Sequence, residues 1–553
     1  MKEILEAIKK VVKTDVSLEV PPDMKMGDYA FPCFPLAKIY KKNPVEIAKE
    51  VSKKIKKPKS VEKIEVNGPY INFFLNKSDL SESTIKDALK DNYGKKSEKK
   101  SIMIEFPSPN TNKPLHLGHL RNIFIGQSVS NYLEFLGNSV VKVNLINDRG
   151  IHICKSMLAY QKWGKNKEPN KKSDHFVGDF YVLYSKKEDD KLKAEAQEML
   201  VNWEKGDPEL RKLWKKMNTW AVKGFDETFK SLGLKFKKQY FESDIYDKGK
   251  HLIQHGLEKG IFYKNDDGAI IIDLEKEGLG EKVLLRADNT ALYITQDLYL
   301  AHQKFKDFKI NRSIYVVGSE QEYHFKVLKN ILKKLNFEHS DDVLHLSYGM
   351  VFLPEGKMKS REGKVVDADD IIEELISMSK EEIKKRYPKL SKAELESRSK
   401  KIGLSALKFY LLKNDPSKSI IFKPEESISF EGETGPYIQY TYARISSILR
   451  KFGKDIPKKV DYTLLDKDIE KRIIKLLSDY PSIVEEAGEK LKIHLVPRFL
   501  LELSQAFNEY YHEYQILQEK PNLRNARLLL ISAVRNTIKS GLNLLDIETI
   551  EKM

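Results

Sequence analysis

Two histidines flank a leucine and a glycine in the stretch 107–122, which reads PSPNTNKPLHLGHLRN. An apolar run typical of a buried strand precedes it, prolines and asparagines interrupt the pattern, and a helical pattern resumes near Leu115. A helix N-terminus here would offer unpaired N–H groups to an anion, and His116 and His119 would share one helical face. Gly118 would let a nucleotide approach the backbone closely. The stretch predicts an ATP site, although two histidines at this spacing also occur on ordinary helix surfaces or as half of a metal site.

A lysine-rich loop stands much later in the chain, at 356–366, and reads GKMKSREGKVV. It has four basic residues in eight positions, Lys357 and Lys359 among them, and follows a predicted strand from Leu344 to Phe352. Ammonium groups on such a loop would neutralise the charge that spreads over a transferring phosphoryl group. An isolated loop of this composition is more often an exposed turn, but its place behind a strand favours phosphate binding.

Length, charge and cysteine content limit the class of protein. The chain has 553 residues, a formal net charge of +16 and two cysteines, Cys33 and Cys154. We expect three or four domains, and two distant cysteines argue against a disulfide framework and a Cys-rich zinc site. The positive charge indicates a polyanionic partner or serves only solubility. No run of about 18 apolar residues is present and the N-terminus is amphipathic, so we predict a cytoplasmic protein without membrane association.

Hydrophobic patterns divide the chain into regions. Residues 1–95 mix helical and strand patterns and predict a small α+β module. Residues 101–375 alternate short β-branched strands with helices, which is typical of a Rossmann-type parallel sheet with a nucleotide at the carboxyl ends of its strands. Strands of this sheet are predicted at Val140–Ile146, Ala269–Ile272 and Ser313–Val317.

A charged, helical range from about 150 to 265 predicts a domain inserted into the sheet region. Its tryptophans, Trp203, Trp214 and Trp220, could stack on RNA, but packing of the insertion on its host is the favoured interpretation. After a connecting segment at 376–400, the range 401–553 has long amphipathic patterns and no clear strands, and predicts an all-α bundle.

The two motifs together resemble those of class I aminoacyl-tRNA synthetases. The histidine stretch resembles the HIGH motif and the lysine-rich loop the KMSKS loop of that class. Seven residues are similar to the arginyl-tRNA synthetase version: Ser108, Pro109, Asn110, Lys113, Pro114, Leu120 and Arg121. The stretches LSALKFYLL at 404–412 and EGETGPYIQYTYARISSILR at 431–450 resemble the DALR-type anticodon-binding domain of that family. The first module resembles its additional N-terminal tRNA-binding domain, so the resemblance spans nearly the whole chain.

The resemblance implies a multidomain α/β protein with a Rossmann-type catalytic domain, an insertion, an α+β tRNA-binding module and an all-α anticodon-binding bundle. The implied activity is an arginine–tRNA ligase. Its substrates would be L-arginine, ATP with Mg²⁺ and tRNA(Arg), without a tightly bound cofactor or zinc. The family usually needs bound tRNA before it activates arginine, and it suggests a monomer. No editing is expected, because a pocket built on polar contacts rejects smaller or apolar amino acids directly.

The same resemblance assigns the candidate site residues. Catalysis is assigned to His116, His119, Lys113 and Lys357. ATP binding is assigned to His116, Gly118, His119, Lys357, Lys359 and His324. Arginine binding is assigned to Glu105, Asn110, Tyr293, Asp297 and Gln321, with Asp297 and Tyr293 at the guanidinium, Glu105 assisting, and Asn110 and Gln321 at the α-amino end. tRNA binding is assigned to Asn67, Tyr70 and Asn72 in the first module, and base stacking suits Tyr437 and Tyr440 in the bundle. Tyr70 has strand packing as an alternative role, and the two bundle tyrosines have core or rim packing.

Two departures from the family pattern are visible. The loop of the class has lysines at its first and fourth positions, whereas this chain has Lys357 first, Lys359 third and Ser360 fourth. Members of the arginyl family often lack the second lysine, and the resemblance makes Lys113 the replacement donor, with Lys359 as its rival. In the bundle, SALK stands where the family usually has DALR, which weakens any assignment to Lys408.

Two other functions compete with this interpretation. One is a class I synthetase for another amino acid; the cysteinyl enzyme usually carries a cysteine-containing zinc site, which two cysteines argue against. The other is an RNA-binding or regulatory protein that keeps the fold without activity. The retention of both histidines, Gly118, Lys357 and the acidic arginine contacts argues against the second.

Overall fold

The computed structural model describes residues 2–14, 16–19, 21, 26–75, 77–354, 366–457 and 459–553. Its first elements are α1 (Lys2–Val12), β1 (Tyr29–Pro32), α2 (Phe34–Tyr40), α3 (Pro44–Lys54), β2 (Val61–Asn67), β3 (Tyr70–Leu75) and α4 (Lys77–Ala88). The strands form an antiparallel sheet in the order β1-β3-β2. Helix α3 begins where the Asn43 side chain accepts a hydrogen bond from the Val45 N–H at 2.9 Å and Pro44 takes the first helical position. The module is α+β, as predicted.

The middle of the chain contains the longest succession of strands and helices. Its elements are β4 (Ser101–Glu105), α5 (Leu117–Phe135), β5 (Ser139–Ile146), α6 (Ile151–Trp163), α7 (Ser173–Lys187), α8 (Asp190–Glu204), α9 (Pro208–Ser231), β6 (Lys238–Phe241), α10 (Glu242–Ile245), α11 (Lys250–Glu258), β7 (Tyr263–Lys264), β8 (Ile270–Leu274), β9 (Gly280–Leu285), α12 (Tyr293–Phe308), β10 (Arg312–Gly318), α13 (Glu322–Lys334), β11 (Val343–Tyr348) and β12 (Val351–Phe352). Short 3₁₀ helices occur at Glu275–Glu277 and Ser319–Gln321.

Five of these strands form a parallel sheet in the order β11-β10-β4-β5-β6. β4 is central and nearly continuously buried, as expected for a strand covered by helices on both faces. From β4 the chain adds β5 and β6 on one side and β10 and β11 on the other, so the strand order reverses between β4 and β10. The carboxyl ends of strands at such a reversal form a crevice that binds ligands in open α/β sheets. The predicted fold class is confirmed.

Two predictions about strands in this region differ from the structure. The run Ala269–Ile272 does not join the parallel sheet, because β8 pairs antiparallel with β7 and β9 in a separate three-stranded sheet. Strand β6, an edge of the parallel sheet, lies inside the range from about 150 to 265, so only helices α6 to α9 separate it from β5. Periodicity identified apolar strands but carried no information about their pairing partners.

The remaining elements are mainly helical: α14 (Ala368–Arg386), α15 (Lys392–Leu412), β13 (Ile420–Ile421), α16 (Pro424–Ser427), α17 (Gly435–Phe452), α18 (Asp468–Glu489), α19 (Leu495–Glu513) and α20 (Pro521–Leu544), with a 3₁₀ helix at Tyr462–Leu464. One short strand, β13, was not predicted; it pairs with β12. The predicted strand Leu344–Phe352 is divided into β11 and β12. Among the described helices, none is long and apolar enough to cross a membrane.

The chain divides into two compact units. The first comprises Met1–Tyr93, Arg444–Tyr480 and Glu502–Ile538. Within it, the Tyr29 hydroxyl donates a hydrogen bond to Asp479 at 2.7 Å, which ties the N-terminal module to α18.

The second unit comprises Gly94–Ala443, Pro481–Leu501 and Lys539–Met553. Within it, the ammonium of Lys408, the lysine of the SALK segment, donates to the Asp546 carboxylate at 2.5 Å. Lys408 therefore holds the C-terminal segment, whatever its relation to the family motif.

Candidate active site

The two histidines of the stretch 107–122 cap the N-terminus of α5. His116 is the N-cap residue, with extended backbone, and its Nδ1 accepts a hydrogen bond from the Gly118 N–H at 3.1 Å. In return, His119 Nδ1 accepts from the His116 N–H at 3.1 Å, and the ring centroids are 3.8 Å apart. This is the reciprocal arrangement of a capping box, built from imidazoles instead of a hydroxyl and a carboxylate. It satisfies two donors of the helix end and fixes both rings.

The caps determine where each imidazole carries its proton. Because Nδ1 is an acceptor in both rings, the neutral tautomer has its hydrogen on Nε2. Burial, and next the charge of Lys113, lower the pKa of His116 to about 4. Burial lowers the pKa of His119 well below its ordinary value, and its neighbours His116 and Lys113 act in the same direction. At neutral pH the pair therefore presents two neutral Nε2–H donors at the positive end of a helix.

Gly118 has a structural role that the sequence did not suggest. A Cβ atom at this position would lie 3.0 Å from His116 Cε1 and 3.1 Å from His116 Nδ1. The missing side chain therefore leaves room for the His116 ring to lie over the first turn of α5. Close approach of a nucleotide, the other reason given for this glycine, stays a prediction.

Lys113 lies just before the capped helix end. Burial lowers its pKa, and its charge acts on both histidines. In the part of the chain that the structure describes, Lys113 has no ion-pair partner. Gly178 on α7 packs against the next residue, since a Cβ at 178 would lie 2.7 Å from Pro114 Cδ. The insertion thus supports the segment that carries Lys113.

The end of the lysine-rich loop and the residues after it pair with the histidine stretch. The Leu117 N–H donates to the Val366 carbonyl at 3.2 Å, and the Ala368 N–H donates to the Leu115 carbonyl at 2.9 Å. His116 and Asp367 face each other in this short antiparallel bridge. Residues 355–365, which include Lys357, Lys359 and Ser360, lie outside the described residues. The chain re-enters the described part directly beside His116.

Arg121 links α5 to two other segments of the chain, 349–350 and 416–418. Its fully buried guanidinium donates to the carbonyls of Gly349 and Met350 at 2.5 and 3.2 Å, and to those of Pro416 and Lys418 at 3.1 and 2.8 Å. Planar guanidinium groups suit such a set of convergent acceptors. The sequence predicted Arg121 only as part of a family motif; its four carbonyl partners were missed.

The segment that bears Asn110 is held at the end of β5. The Thr111 N–H donates to the Asn147 carbonyl at 3.1 Å, and the Asn147 side chain donates to the Ser108 carbonyl at 2.9 Å. The Asn110 side chain itself is exposed. Gln321, also exposed, lies in the 3₁₀ helix that directly follows β10. Both residues therefore follow carboxyl ends of strands in the parallel sheet, with β10 next to the reversal of strand order.

Two predicted arginine contacts are engaged with basic side chains of the protein. Glu105, at the end of β4, is buried and its carboxylate lies 2.6 Å from the ammonium of the fully buried Lys304 on α12. Burial raises the pKa of Glu105, and the charge of Lys304 opposes this. Two turns before Lys304 along α12, Asp297 accepts from His324 Nε2 at 2.6 Å. Burial would lower the pKa of His324, but the contact with Asp297 raises it.

These contacts revise the expected arrangement in two respects. His324, predicted near ATP, contacts the carboxylate predicted to read the guanidinium, so its immediate surroundings are those of the candidate arginine site. Glu105 has its charge paired inside the protein. Tyr293 begins α12 one turn before Asp297 and is 66% exposed, which leaves its ring open to a ligand. Lys304 was missed, because a lysine in an amphipathic helix normally predicts a solvated position.

The predicted RNA contacts fall into two groups. In the first module, Asn67 is exposed, whereas Asn72 is only 5% exposed on β3, so its side chain cannot reach RNA without rearrangement. The Tyr70 ring packs edge-on against Phe34 at 5.6 Å, in accord with the alternative packing role. Tyr437 and Tyr440 are half-buried residues of α17.

The tryptophans of the insertion pack within the protein. Trp203 is 1% exposed and contacts both the Trp214 ring and the guanidinium of Arg211, which is 3.5 Å from its centroid. The Trp220 ring contacts Phe176 edge-on at 5.6 Å. These rings pack, as favoured, but these contacts join helices of the insertion to one another and not the insertion to its host.

Comparisons with known proteins agree with the geometry. The family models that match are "tRNA synthetases class I (R), catalytic domain" at 84–423, "DALR anticodon binding domain" at 438–553 and "Arginyl tRNA synthetase N terminal domain" at 1–75. A protein of Treponema denticola named arginine–tRNA ligase is 47% identical over 99% of this chain and 96% of its own length. One of Parabacteroides distasonis with the same name is 43% identical over 100% and 98%.

A solved structure supports the same assignment over the whole chain. The arginyl-tRNA synthetase of Thermus thermophilus superimposes with a TM-score of 0.87 at 26% identity, covering 100% of both chains. Full-length similarity of this extent, together with the three family models, leaves no region of the chain unassigned. The chain therefore belongs to the arginyl-tRNA synthetase family.

Proposed function

We propose that the protein is an arginine–tRNA ligase that activates L-arginine with ATP and transfers it to the 3′ end of tRNA(Arg). Within a chain of this family, the observation that carries the proposal is the His116–His119 pair, with two neutral Nε2–H donors at the N-terminus of α5. Such donors bind phosphate without requiring a protonation change. They lie on the helix that follows β4, next to the reversal of strand order.

In the activation step, a carboxylate oxygen of arginine attacks the α-phosphorus of ATP. A bond forms between that oxygen and phosphorus, the bond to the oxygen that bridges to the β-phosphate breaks, and pyrophosphate leaves with its electron pair. Mg²⁺ arrives with ATP as part of the substrate and neutralises phosphate charge. His116 and His119 donate hydrogen bonds, and Lys113 and Lys357 supply positive charge, to the oxygens that gain charge in the transition state. Gly118 leaves the backbone accessible beside them.

The second loop lysine of the class is replaced by Ser360, and we assign its role to Lys113. Lys113 precedes the capped helix end, acts electrostatically on both histidines and has no carboxylate partner among the described residues. An unpaired, partly buried ammonium attracts an anion strongly. Lys359 is the rival donor and contacts ATP in this proposal without replacing Lys113.

Arginine recognition is assigned to the first turns of α12 and its surroundings. Asp297 and Tyr293 bind the guanidinium, whose planar donors match a carboxylate. Asn110 and Gln321 bind the α-amino end. Glu105, already paired with Lys304, contributes negative potential and supports α12. His324 either shares Asp297 with the guanidinium or contacts ATP; its 2.6 Å contact favours the first role.

The RNA partner is tRNA(Arg), bound by the module 1–95 and the bundle 401–553. Asn67 and Tyr70 are assigned to the tRNA elbow, and Tyr437 and Tyr440 to base stacking. Asn72, whose side chain is only 5% exposed, would contact tRNA only after rearrangement. The proposal further includes a cytoplasmic monomer without zinc, in which tRNA must bind before arginine is activated. The connecting segment at 376–400 completes the proposed domain division.

Aminoacylation of tRNA tests the proposed function. Purified protein, ATP, Mg²⁺ and a tRNA(Arg) transcript are incubated with each of the twenty amino acids in labelled form, and acid-precipitable label is counted. We expect label from arginine alone, and none with periodate-oxidised tRNA, whose terminal diol is destroyed. The proposal would be refuted if a different amino acid were attached to the tRNA, or if no amino acid were attached to intact tRNA.

A further inference from the structure

Five charged side chains meet where α7 of the insertion contacts the start of α14. These residues, termed here the α7–α14 cluster, are Lys172, Asp174, His175, Asp367 and Asp369. The Lys172 ammonium lies 2.6 Å from Asp369 and 3.1 Å from Asp174. His175 Nε2 lies 3.0 Å from Asp369, and His175 Nδ1 lies 3.4 Å from Asp367. One imidazole thus spans two carboxylates at the beginning of one helix.

Helix α9 holds the cluster from a third side. The Thr228 hydroxyl accepts from Lys172 at 2.6 Å and donates to Asp369 at 3.1 Å. A Cβ at Gly224 would lie 2.3 Å from Asp174 Oδ1, so only glycine permits this approach of α9. The positions of Lys172 and Asp174 are therefore set by two helices of the insertion, and α14 meets a prearranged site.

A divalent metal is not the best occupant of this cluster. Asp174, His175 and Asp369 have ligand atoms within 4.8 Å of one another, which is compatible with metal coordination. The Lys172 ammonium, however, is already within hydrogen-bond distance of both carboxylates. The positive charges that neutralise this site belong to the protein itself.

The geometry favours a charged imidazole. Nε2 is hydrogen-bonded to Asp369, and Nδ1 lies 3.4 Å from the Asp367 carboxylate, where the lone pair of a neutral ring would face negative charge. An imidazolium donates to Asp369 and forms an ion pair with Asp367. Consistent with this, the hydrogen bond with Asp369 raises the pKa of His175, although burial opposes the shift.

The carboxylates of the cluster titrate in different directions. Burial raises the pKa of Asp367 to about 6, against the opposing charge of His175, and burial also raises the pKa of Asp174. Burial would also raise the pKa of Asp369, but its bonds with His175 and Lys172 lower it to about 2. The other charged groups nearby are Asp174 on α7 and Asp370 on α14, and α9 contributes the Thr228 hydroxyl.

The α7–α14 cluster adjoins the candidate active site through Asp367. Asp367 faces His116 in the antiparallel bridge, and the two hydrogen bonds of that bridge, from Leu117 to Val366 and from Ala368 to Leu115, flank His116. The Asp367 side chain makes no capping bond to α14 and is available to His175. A change in the position of Asp367 therefore moves the backbone that fixes the His116 cap.

We propose that His175 is a positioning residue for His116: as an imidazolium bound to Asp367 and Asp369, it holds residues 366–368 in the bridge that fixes the His116 cap. This proposal rests on the proposed function, in which His116 binds ATP phosphates. Loss of the His175 proton weakens the contact with Asp367 and displaces the cap. The insertion thereby contributes to activation without touching the substrates.

Four proteins test the proposal: the wild type, His175→Gln, His175→Arg and the control His255→Gln. Glutamine cannot donate to both carboxylates from opposite ends, whereas arginine can and keeps its charge at every relevant pH. His255 is an exposed histidine of α11, outside the proposed site. Asp369→Asn is added as a variant in which the histidine itself is retained.

The first readout is arginine-dependent and tRNA-dependent pyrophosphate exchange between pH 6.5 and about 9. We expect the wild-type kcat to fall as His175 loses its proton, and His175→Arg to remove that fall. His175→Gln should lower kcat between about tenfold and a hundredfold at every pH, as expected for a misplaced donor, with the arginine KM unchanged. His255→Gln should match the wild type.

The second readout is an NMR titration of the ring nitrogens of the twelve histidines. The His116 signal, assigned by its loss in His116→Asn, should shift as His175 titrates, and should not do so in His175→Arg. In Asp369→Asn the pKa of His175 should fall. These signals report the coupling between His175 and His116 without any assay of activity. The test therefore remains possible if His175→Gln does not fold.

Either readout can overturn the proposal. The proposal is refuted if His175→Gln keeps the wild-type pH profile, or if the kcat of His175→Arg falls with pH as it does in the wild type. It is also refuted if the His116 NMR signal does not shift while His175 titrates. If the NMR coupling is present but the wild type exchanges no pyrophosphate with arginine and tRNA, the proposed function fails while the positioning of His116 by His175 stands.

Discussion

His116 and His119 cap the same end of α5 reciprocally, each through Nδ1, at 3.1 Å from the N–H groups of Gly118 and His116. The arrangement couples two properties that a phosphate site needs. The caps fix the rings, and they force the hydrogen of each neutral imidazole to Nε2, where it can be donated. Structural and chemical roles of the two histidines are therefore carried by different nitrogens of the same ring.

Separation of these roles predicts the effect of His116→Asn. The asparagine oxygen can replace Nδ1 as a cap, since asparagine is a favoured N-cap residue, but no donor replaces Nε2. We expect an unchanged melting temperature and a kcat for arginine activation lowered about a hundredfold. His255→Asn, on the exposed face of α11, serves as the matched control. Equal rates for the two variants would show that Nε2 of His116 does not act on ATP.

The lowered pKa of His116 predicts acid sensitivity. Because the folded-state pKa of about 4 is below the ordinary 6.5, the stability linked to this group is present above pH 6.5 and is lost as the pH falls toward 4. The loss should be on the order of 2 kcal/mol and smaller in His116→Asn. Urea unfolding at several pH values measures it. The interpretation fails if both proteins lose the same stability between pH 7 and pH 4.5.

Lys113→Ala should slow activation while the fold is retained. The alanine variant lacks the charge assigned to the missing loop lysine, so kcat should fall about a hundredfold with little change in the arginine KM. Lys359→Ala is the comparison and should have a much smaller effect. Pre-steady-state pyrophosphate release gives both constants. A larger loss in Lys359→Ala would transfer the compensating role to that residue.

Asp297→Asn should weaken arginine binding selectively. The charge-assisted bond to the guanidinium is lost, which raises the arginine KM about tenfold to a hundredfold and leaves the ATP KM nearly unchanged. Circular dichroism controls for loss of fold, because the variant also disturbs the contact with His324. Parallel increases in both KM values would mean that Asp297 does not bind the amino acid specifically.

The sequence predicted those parts of the site that depend on local pattern. The strand before the histidine stretch, the helix start near Leu115 and the parallel-sheet class followed from periodicity and from the prolines and asparagines that interrupt it. The histidine caps were not predicted, and they occupy two of the N–H groups that were expected to be open to an anion. Pairing partners could not be predicted in this way. Glu105 and Lys304 are 199 positions apart, and neither the burial of the lysine nor its contact leaves a local signal.

The same limitation explains the other differences. β6 has only four residues, and β8 has the apolar pattern of a parallel strand although its partners are antiparallel. The contact of His175 with Asp367 and Asp369, at the start of α14, joins residues nearly two hundred positions apart. A local sequence pattern indicates whether a residue type suits a helix or a strand. Which charged side chains contact each other depends on the tertiary structure.

The most direct test of the central claim is ATP–pyrophosphate exchange by the purified protein, measured with each of the twenty amino acids in the presence and absence of tRNA(Arg). We predict exchange with arginine alone, and only when tRNA is present. Exchange that is stimulated by another amino acid, or no exchange under any of these conditions, would contradict the account.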